Sequence, residues 1–244
     1  KTICILDQIF PEYESVFSNI FGKTSKEILL HFSSPAEFES ITSEQLETAL
    51  EQVSFKKFAS KKISCISNIA KTSFGITFGL QSLTLQLKLL IQQINFIEQQ
   101  VHDVEIQIKQ LLHKINTLIT TIPGIGDIIG ATILGEIGDI ERFSNPSKLV
   151  AYAGIDASVH QSGDYISTNN KMSKRGSPYL RTALFRAALI ASVHDPVFKA
   201  YYQKKRSEGK HHLTCLGAVA RKLCYTIHAI LKNNCEYKVQ LPTE

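Results

Sequence analysis

Between residues 83 and 118 the apolar side chains fall at Leu83, Leu87, Leu90, Ile94, Ile97, Val101, Val104, Ile108, Leu111, Ile115 and Leu118. The spacing is an unbroken alternation of four and three. A strand, whose side chains repeat every two residues, cannot produce it; a helix with a heptad seam does. The pattern predicts one helix of about five heptads, roughly 54 Å long at 1.5 Å per residue. The three-residue steps run from a to d, so a is Leu87, Ile94, Val101, Ile108 and Ile115, and d is mostly Leu. β-Branched residues at a with Leu at d favour two parallel strands. The g positions are Gln86, Gln93, Gln100, Gln107 and Lys114, which carry little charge information. Such regularity favours a homodimer through residues 83–118. The bland alternative is one long helix packed inside its own domain.

This helix divides the chain into three parts: residues 1–79, a set of short helices; 80–119, a coiled-coil dimerisation helix; and 120–235, a C-terminal helical domain. In the first part, "DQIFPEYESVFSNIFG" ends on Gly22, a helix stop. "SSPAEFESI" places Ser34 at the N-cap and Pro35 at the first helical position. "TSEQLETALEQV" opens on Thr42 with Gln45 three residues later, a capping-box pattern. After the long helix comes "LITTIPGIGDIIGATILGEIG". Pro123 stops one helix, Gly124 and Gly126 permit a tight turn of bare backbone, and a second apolar helix begins. This is the helix-hairpin-helix pattern. Its exposed N–H groups suit a DNA phosphate and read no sequence. A purely structural corner between two helices has the same appearance. "SNPSKLVAYAGI", "SPYLRTALFRAALIASV", "DPVFKAYYQKKRSEG" and "HHLTCLGAVARKLCYTIHAILKN" each read as a further helix. The expected fold is therefore mainly α.

Charge separates the two ends. Residues 1–55 hold three Lys against nine Asp/Glu, whereas residues 171–222 hold twelve Lys/Arg against Asp195 and Glu208. A basic half of this kind is the electrostatic footprint of a nucleic-acid binder, or a solvated face that touches nothing. No apolar run reaches the roughly 18 residues of a membrane span. The start, "KTICILDQIF", lacks an initiator Met and does not read as a signal peptide, so it looks like the middle of a longer protein. Five cysteines at irregular positions form neither CxxC pairs nor a disulfide framework, which suits a reduced cytoplasmic setting. His211 and His212 with Cys215 and Cys224 match no standard zinc spacing, and a surface histidine pair at a helix start is the simpler reading.

One loop holds the chemistry. "VHQSGDY" sets Ser162 between Gln161 and Gly163, with His160 two residues before it and Asp164 two after. In an extended chain these three would share a face. Catalytic triads are defined by three-dimensional geometry, however, and members this close in sequence rarely form the relay. A polar loop tip is a second possibility.

The ordered string "LDQIFPEYESVF", the heptads, "TIPGIGDIIGATILGEIGDIERFSNPSKLVAYAGI", "HQSGDY" and "MSKRGSPYLRTALFRAA" closely resembles the C-terminal part of the insertion-sequence "IS one-ten" family of transposases. The resemblance implies an N-terminal RuvC-like domain with a DEDD set of carboxylates that holds magnesium, then a coiled coil, then a C-terminal transposase domain. It places the serine of the family's S-G motif on Ser162, as the nucleophile of a covalent phosphoserine link to DNA. The family's K-R-G and L-R run falls on Lys174, Arg175, Gly176, Leu180 and Arg181. The resemblance also implies a bacterial, nucleoid-associated protein, a bridge RNA as guide, and dimers or tetramers on DNA.

Two departures stand out. Many members have Pro shortly after the A-Y-x-G-[IL] run, where this chain has Ala157. Nothing near Lys1 reads as a strand running into a first catalytic Asp, so the magnesium carboxylates are expected outside this chain and no metal ligand is assigned within it. The expected function is DNA transposition with Ser162 as nucleophile. The DNA-binding set is Gly124, Gly126, Lys171, Lys174, Arg175, Arg181 and Arg186, whose cations would neutralise the phosphoryl oxygens. The rival is a non-catalytic DNA-binding and dimerisation remnant of a truncated transposase.

Overall fold

The computed structural model describes residues 1–40, 56–157, 161–162, 165–166 and 172–239. Those residues are mainly helical and form two compact units, Lys1–His102 and Asp103–Glu244. The capping box expected at Thr42 and Gln45, and His160, Gly163, Asp164 and Lys171, lie outside the described residues.

In the first unit, α1 (Thr2–Ile9) buries Ile5, Leu6 and Ile9 on one face. Pro11 cannot continue that helix, and a 3-10 turn follows over Pro11–Val16. Gly22 does not stop this segment as the sequence suggests. The chain is already extended at Phe17, and Gly22 is the N-cap of α2 (Lys23–His31). Ser34 caps α3 (Pro35–Glu39) as expected: the Glu37 carboxylate accepts from the backbone N–H groups of Ser33 and Ser34. The core gathers Phe10, Tyr13, Phe32 and Phe38, with ring centroids 5.6–6.4 Å apart where they meet. It is completed by Ile63 and Ile66 from α4 (Lys56–Ala70).

The heptad helix is α5, Leu80–Ile115, 36 residues long. Its first turns are not free for a partner. Leu87 and Ile91 are buried in the core of the first unit, with Leu83 and Leu90 packed beside them. From Phe96 to Gln107 every residue is exposed. The seam residues Ile97, Val101, Val104 and Leu111 are each more than half exposed. The helix also ends earlier than the heptads predict. Asn116 takes a left-handed conformation (φ 50°), so Leu118 lies beyond the helix, as the N-cap of a 3-10 turn over Ile119–Thr121. Asn tolerates this region better than most residues, which explains a stop that the apolar pattern alone does not reveal.

The second unit is built on α8 (Pro178–His194). Its Ala183, Ala187, Ala188 and Ala191 are buried. Around it lie α6 (Asp127–Ile137), α9 (Pro196–Ser207) and α10 (His212–Asn233), while α7 (Pro146–Tyr152) packs on α10. The small face of α8 is needed at one point in particular. Gly124 (φ +91°) is set so close that a Cβ there would lie 2.6 Å from the Ala187 carbonyl oxygen and 3.0 Å from the Ala191 nitrogen. The junctions are capped by Asn145, Ser177 and Asp195. Asp195 is fully buried. It accepts from the Phe198 N–H at 2.9 Å and from the Tyr237 hydroxyl at 2.8 Å, which ties the chain after α10 to the α8–α9 junction.

Candidate functional site

Two glycines make the framework of the site. Gly154 (φ +65°) follows α7, and Gly176 precedes α8. A Cβ on Gly176 would lie 1.9 Å from the Tyr152 carbonyl oxygen, and one on Gly154 would lie 2.6 Å from the Gly176 nitrogen. The two strands of backbone therefore meet with no side chain between them. Hydrogen bonds lock the contact: Lys174 N–H donates to the Gly154 carbonyl at 3.0 Å, Ser177 N–H to the Tyr152 carbonyl at 2.8 Å, and Ser173 N–H to the Asp156 carbonyl at 2.9 Å. Lys174 is itself in the left-handed region (φ 54°), an uncommon conformation for a residue with a side chain. Ser177 caps α8 by accepting from Leu180 N–H at 3.0 Å and donates its own proton to Glu136 of α6 at 2.6 Å.

The segment between these anchors carries Ser162. On either side of it, Ala157 and Met172 form an antiparallel bridge. Within the segment, β1 (Gln161–Ser162) pairs antiparallel with β2 (Tyr165–Ile166), with Ser162 opposite Tyr165. Ser162 thus belongs to the end of a two-stranded ribbon.

At the neck of the ribbon is a cleft of about 1020 Å³. Ala157 and Met172 line it, as do Lys174, Arg181 and Arg186, three of the cations predicted from sequence. Arg221 of α10 is a fourth, which sequence reasoning missed. Arg181 is half-buried and donates to the Ala153 carbonyl at 3.1 Å. Among the described residues none of these four joins an ion pair. The carboxylate that shares the cleft, Asp156, accepts from the Ser173 hydroxyl. Several unneutralised cations around one recess repel each other, and an anion placed there relieves the repulsion. Arg175 is exposed on the same loop but does not line the cleft.

The helix-hairpin-helix glycines divide. Gly126 is exposed at the N-cap of α6, with open space where a Cβ would be. Gly124 is covered by α8. The segment before Pro123 is the single 3-10 turn, not the end of the long helix. Asp127 occupies the first turn of α6 and pairs with Lys109 at 3.7 Å, putting negative charge where a phosphate would approach.

The zinc combination does not assemble. His211 and His212 are exposed, and Cys215 and Cys224 are buried, with burial pushing the Cys224 thiol up to about 12. Among the described residues no three His, Cys, Asp or Glu side chains stand together as a metal site. No described helix is long and apolar enough to cross a membrane.

Comparison with known proteins converges on the same region. The model of the transposase IS116/IS110/IS902 family matches residues 116–203. The chain is 33% identical over 126 residues to the insertion element IS900 uncharacterized 42 kDa protein of Mycobacterium paratuberculosis, covering 51% of this chain and 31% of that one. It is 33% identical over 126 residues to the pilin gene-inverting protein of Moraxella bovis, covering 51% and 39%. The insertion element IS110 uncharacterized 43.6 kDa protein of Streptomyces coelicolor is 28% identical over 130 residues, covering 53% and 32%. The matched stretch is thus half of this chain and about a third of each relative. Residues 116–203, the stretch that matches the model of the IS116/IS110/IS902 transposase family, hold the P-G-I-G turn, the glycine-locked anchors, the serine ribbon and three of the four cleft cations.

Proposed function

We propose that this chain acts in DNA transposition by site-specific recombination, with Ser162 as nucleophile and the cationic cleft as the seat of the reacting phosphate. One observation carries the reading: Ala157 and Met172, the bridged residues that flank the segment bearing Ser162, line a cleft together with Lys174, Arg181, Arg186 and Arg221. The name of the Moraxella relative, a gene-inverting protein, points the same way.

In the step proposed, Ser162 Oγ attacks a backbone phosphorus. The Oγ–P bond forms as the bond from phosphorus to the leaving deoxyribose oxygen breaks. The serine proton is lost and the leaving oxygen gains one. The cleft cations neutralise the charge that builds on the non-bridging oxygens. The family resemblance implies magnesium held by carboxylates, but the described residues offer no cluster that fits it. Guidance by a structured RNA rests on the same resemblance.

The cleft makes a direct prediction. Binding should be driven by backbone phosphates, and log K should fall with log salt by about 0.9 per phosphate neutralised. Arg186→Gln and Arg221→Gln should each weaken binding and lower that slope by about one contact. Filter binding across a salt series checks this. A flat salt dependence, or wild-type slopes in both variants, overturns the role given to the cleft.

The partner of the exposed heptads is a second copy of the chain. Leu83, Leu87 and Leu90 are used internally, so the pairing surface contracts from residues 83–118 to the stretch around Ile97, Val101, Val104 and Leu111. Val101→Asp with Val104→Asp would desolvate several charges in such a seam. The variant should run as a monomer in light scattering and keep its helical circular dichroism. A wild-type chain already monomeric at micromolar concentration contradicts the dimer.

A further inference from the structure

A cleft that held phosphates alone would need only cations and polar groups. This one has a second character. Its lining also includes Ile155, Met172, Phe185, Leu189, Leu213 and Leu216. Two of these are left substantially in water, Leu213 at 60% and Leu189 at 45% exposure. Gly217 is in the same wall, and a Cβ there would touch the tip of the Phe185 ring at 3.6 Å and the Met172 methyl at 3.7 Å. The absence of a side chain at Gly217 keeps that part of the wall shallow beside the ring. Cations and aromatic-aliphatic side chains lining one recess suit a ligand with an anionic group joined to an apolar face.

We infer that the cleft takes an unpaired DNA nucleotide, its phosphate among Lys174, Arg186 and Arg221 and its base against Phe185 and Leu213. The inference rests on the reading of the cleft as a DNA site and adds what that reading lacks, a place for a base turned out of the helix. A base in a duplex is stacked on both faces and offers this wall nothing; an extruded base offers a whole π face. Contact through the face rather than the edge accepts any of the four bases, because each has such a face. The recess is at the upper end of the volume usual for small-ligand sites, enough for a nucleotide and its flanking phosphates.

The test is binding of the whole chain to three labelled duplexes: one fully paired, one with a single bulged nucleotide, and one with the same bulge made abasic. The bulged base should be held about tenfold more tightly than the abasic bulge, the range expected for one stacked base. Phe185→Leu should bring that ratio close to one, and Phe185→Trp should retain it. Leu213→Ser, at an exposed position, should reduce it without touching the core. The readout is a ratio, so a general loss of affinity in a variant cancels. A wild-type ratio near one, with salt-dependent binding of the paired duplex intact, would show a cleft for phosphates only and overturn the base site alone. Failure to bind any duplex would overturn the DNA reading of the cleft with it. If an RNA strand of the same sequence competes more strongly than the DNA strand, the assignment of the occupant to DNA is wrong.

Discussion

Ser162→Ala should abolish the covalent protein–DNA adduct while leaving DNA binding intact. The hydroxyl is the sole group the substitution removes, and the cleft cations proposed to hold the phosphate are other residues, Lys174, Arg181, Arg186 and Arg221. A serine is a weak nucleophile unless a base or a polarised phosphate activates it. The described residues supply the cations but no metal-holding carboxylates. Two results are therefore expected on a denaturing gel of labelled DNA. The present chain, given magnesium and guide RNA, should bind DNA and give no protein-linked band. The same residues placed in frame with a DEDD carboxylate domain should give one, and Ser162→Ala in that protein should lose it completely. A band that survives the substitution means the nucleophile is another residue. A band from residues 1–244 alone means the activating groups are already among them.

Gly176→Ala is expected to have the largest effect on stability. The new methyl would lie 1.9 Å from the Tyr152 carbonyl oxygen and 2.6 Å from the Gly154 nitrogen, both backbone atoms that no side-chain rotation can move. Either α7 separates from the start of α8 or the domain opens. The cost should be on the order of 3 kcal/mol or more, which for a unit of this size lowers the melting temperature by roughly 10 °C. Lys174 and Arg181 flank this contact, so phosphate binding should weaken as well. Gly135→Ala is the control. Gly135 is on the exposed face of α6 with open space around its Cβ position, and alanine there should stabilise by about 0.5–1 kcal/mol. Thermal melting by circular dichroism separates the two; a Gly176→Ala protein that melts with the wild type would show that the glycine contact does not hold the site together.

How far the sequence reveals this structure depends on the range of the interaction. Local signals are legible. Ser34, Asn145, Ser177 and Asp195 cap helices where a short polar residue precedes Pro, because the capping bond closes within three residues. The heptad helix is legible for the same reason, but its partners are not. Nothing in the repeat distinguishes Leu87, buried in its own unit, from Val101, left exposed, because that choice is made by residues far away in the chain such as Phe38 and Ile66.

The site divides along the same line. Lys174, Arg181 and Arg186 are close in sequence and end in one cleft. Arg221, 35 residues beyond Arg186 in the chain, joins them only because α8 and α10 pack side by side. The one hint in the sequence is a cation set among buried neighbours, Ala218, Val219, Ala220 and Leu223. Gly124 illustrates the converse. The P-G-I-G motif invites a phosphate at both glycines, yet the alanines of α8 bring a helix against the first of them. The repeat of small residues at 183, 187 and 191 was the signal that something would pack closely there.

The union of serine ribbon and cationic cleft in one strand-transfer site is tested most directly by locating the attached nucleotide. The adduct formed by the chain joined to a DEDD carboxylate domain is trapped, digested with protease and nuclease, and sequenced by mass spectrometry. The nucleotide remnant should be on the peptide spanning Gln161 and Ser162, attached to Ser162, and its yield should fall in the Arg186→Gln and Arg221→Gln proteins. A remnant on any other residue, or an unchanged yield when both arginines are removed, would contradict it.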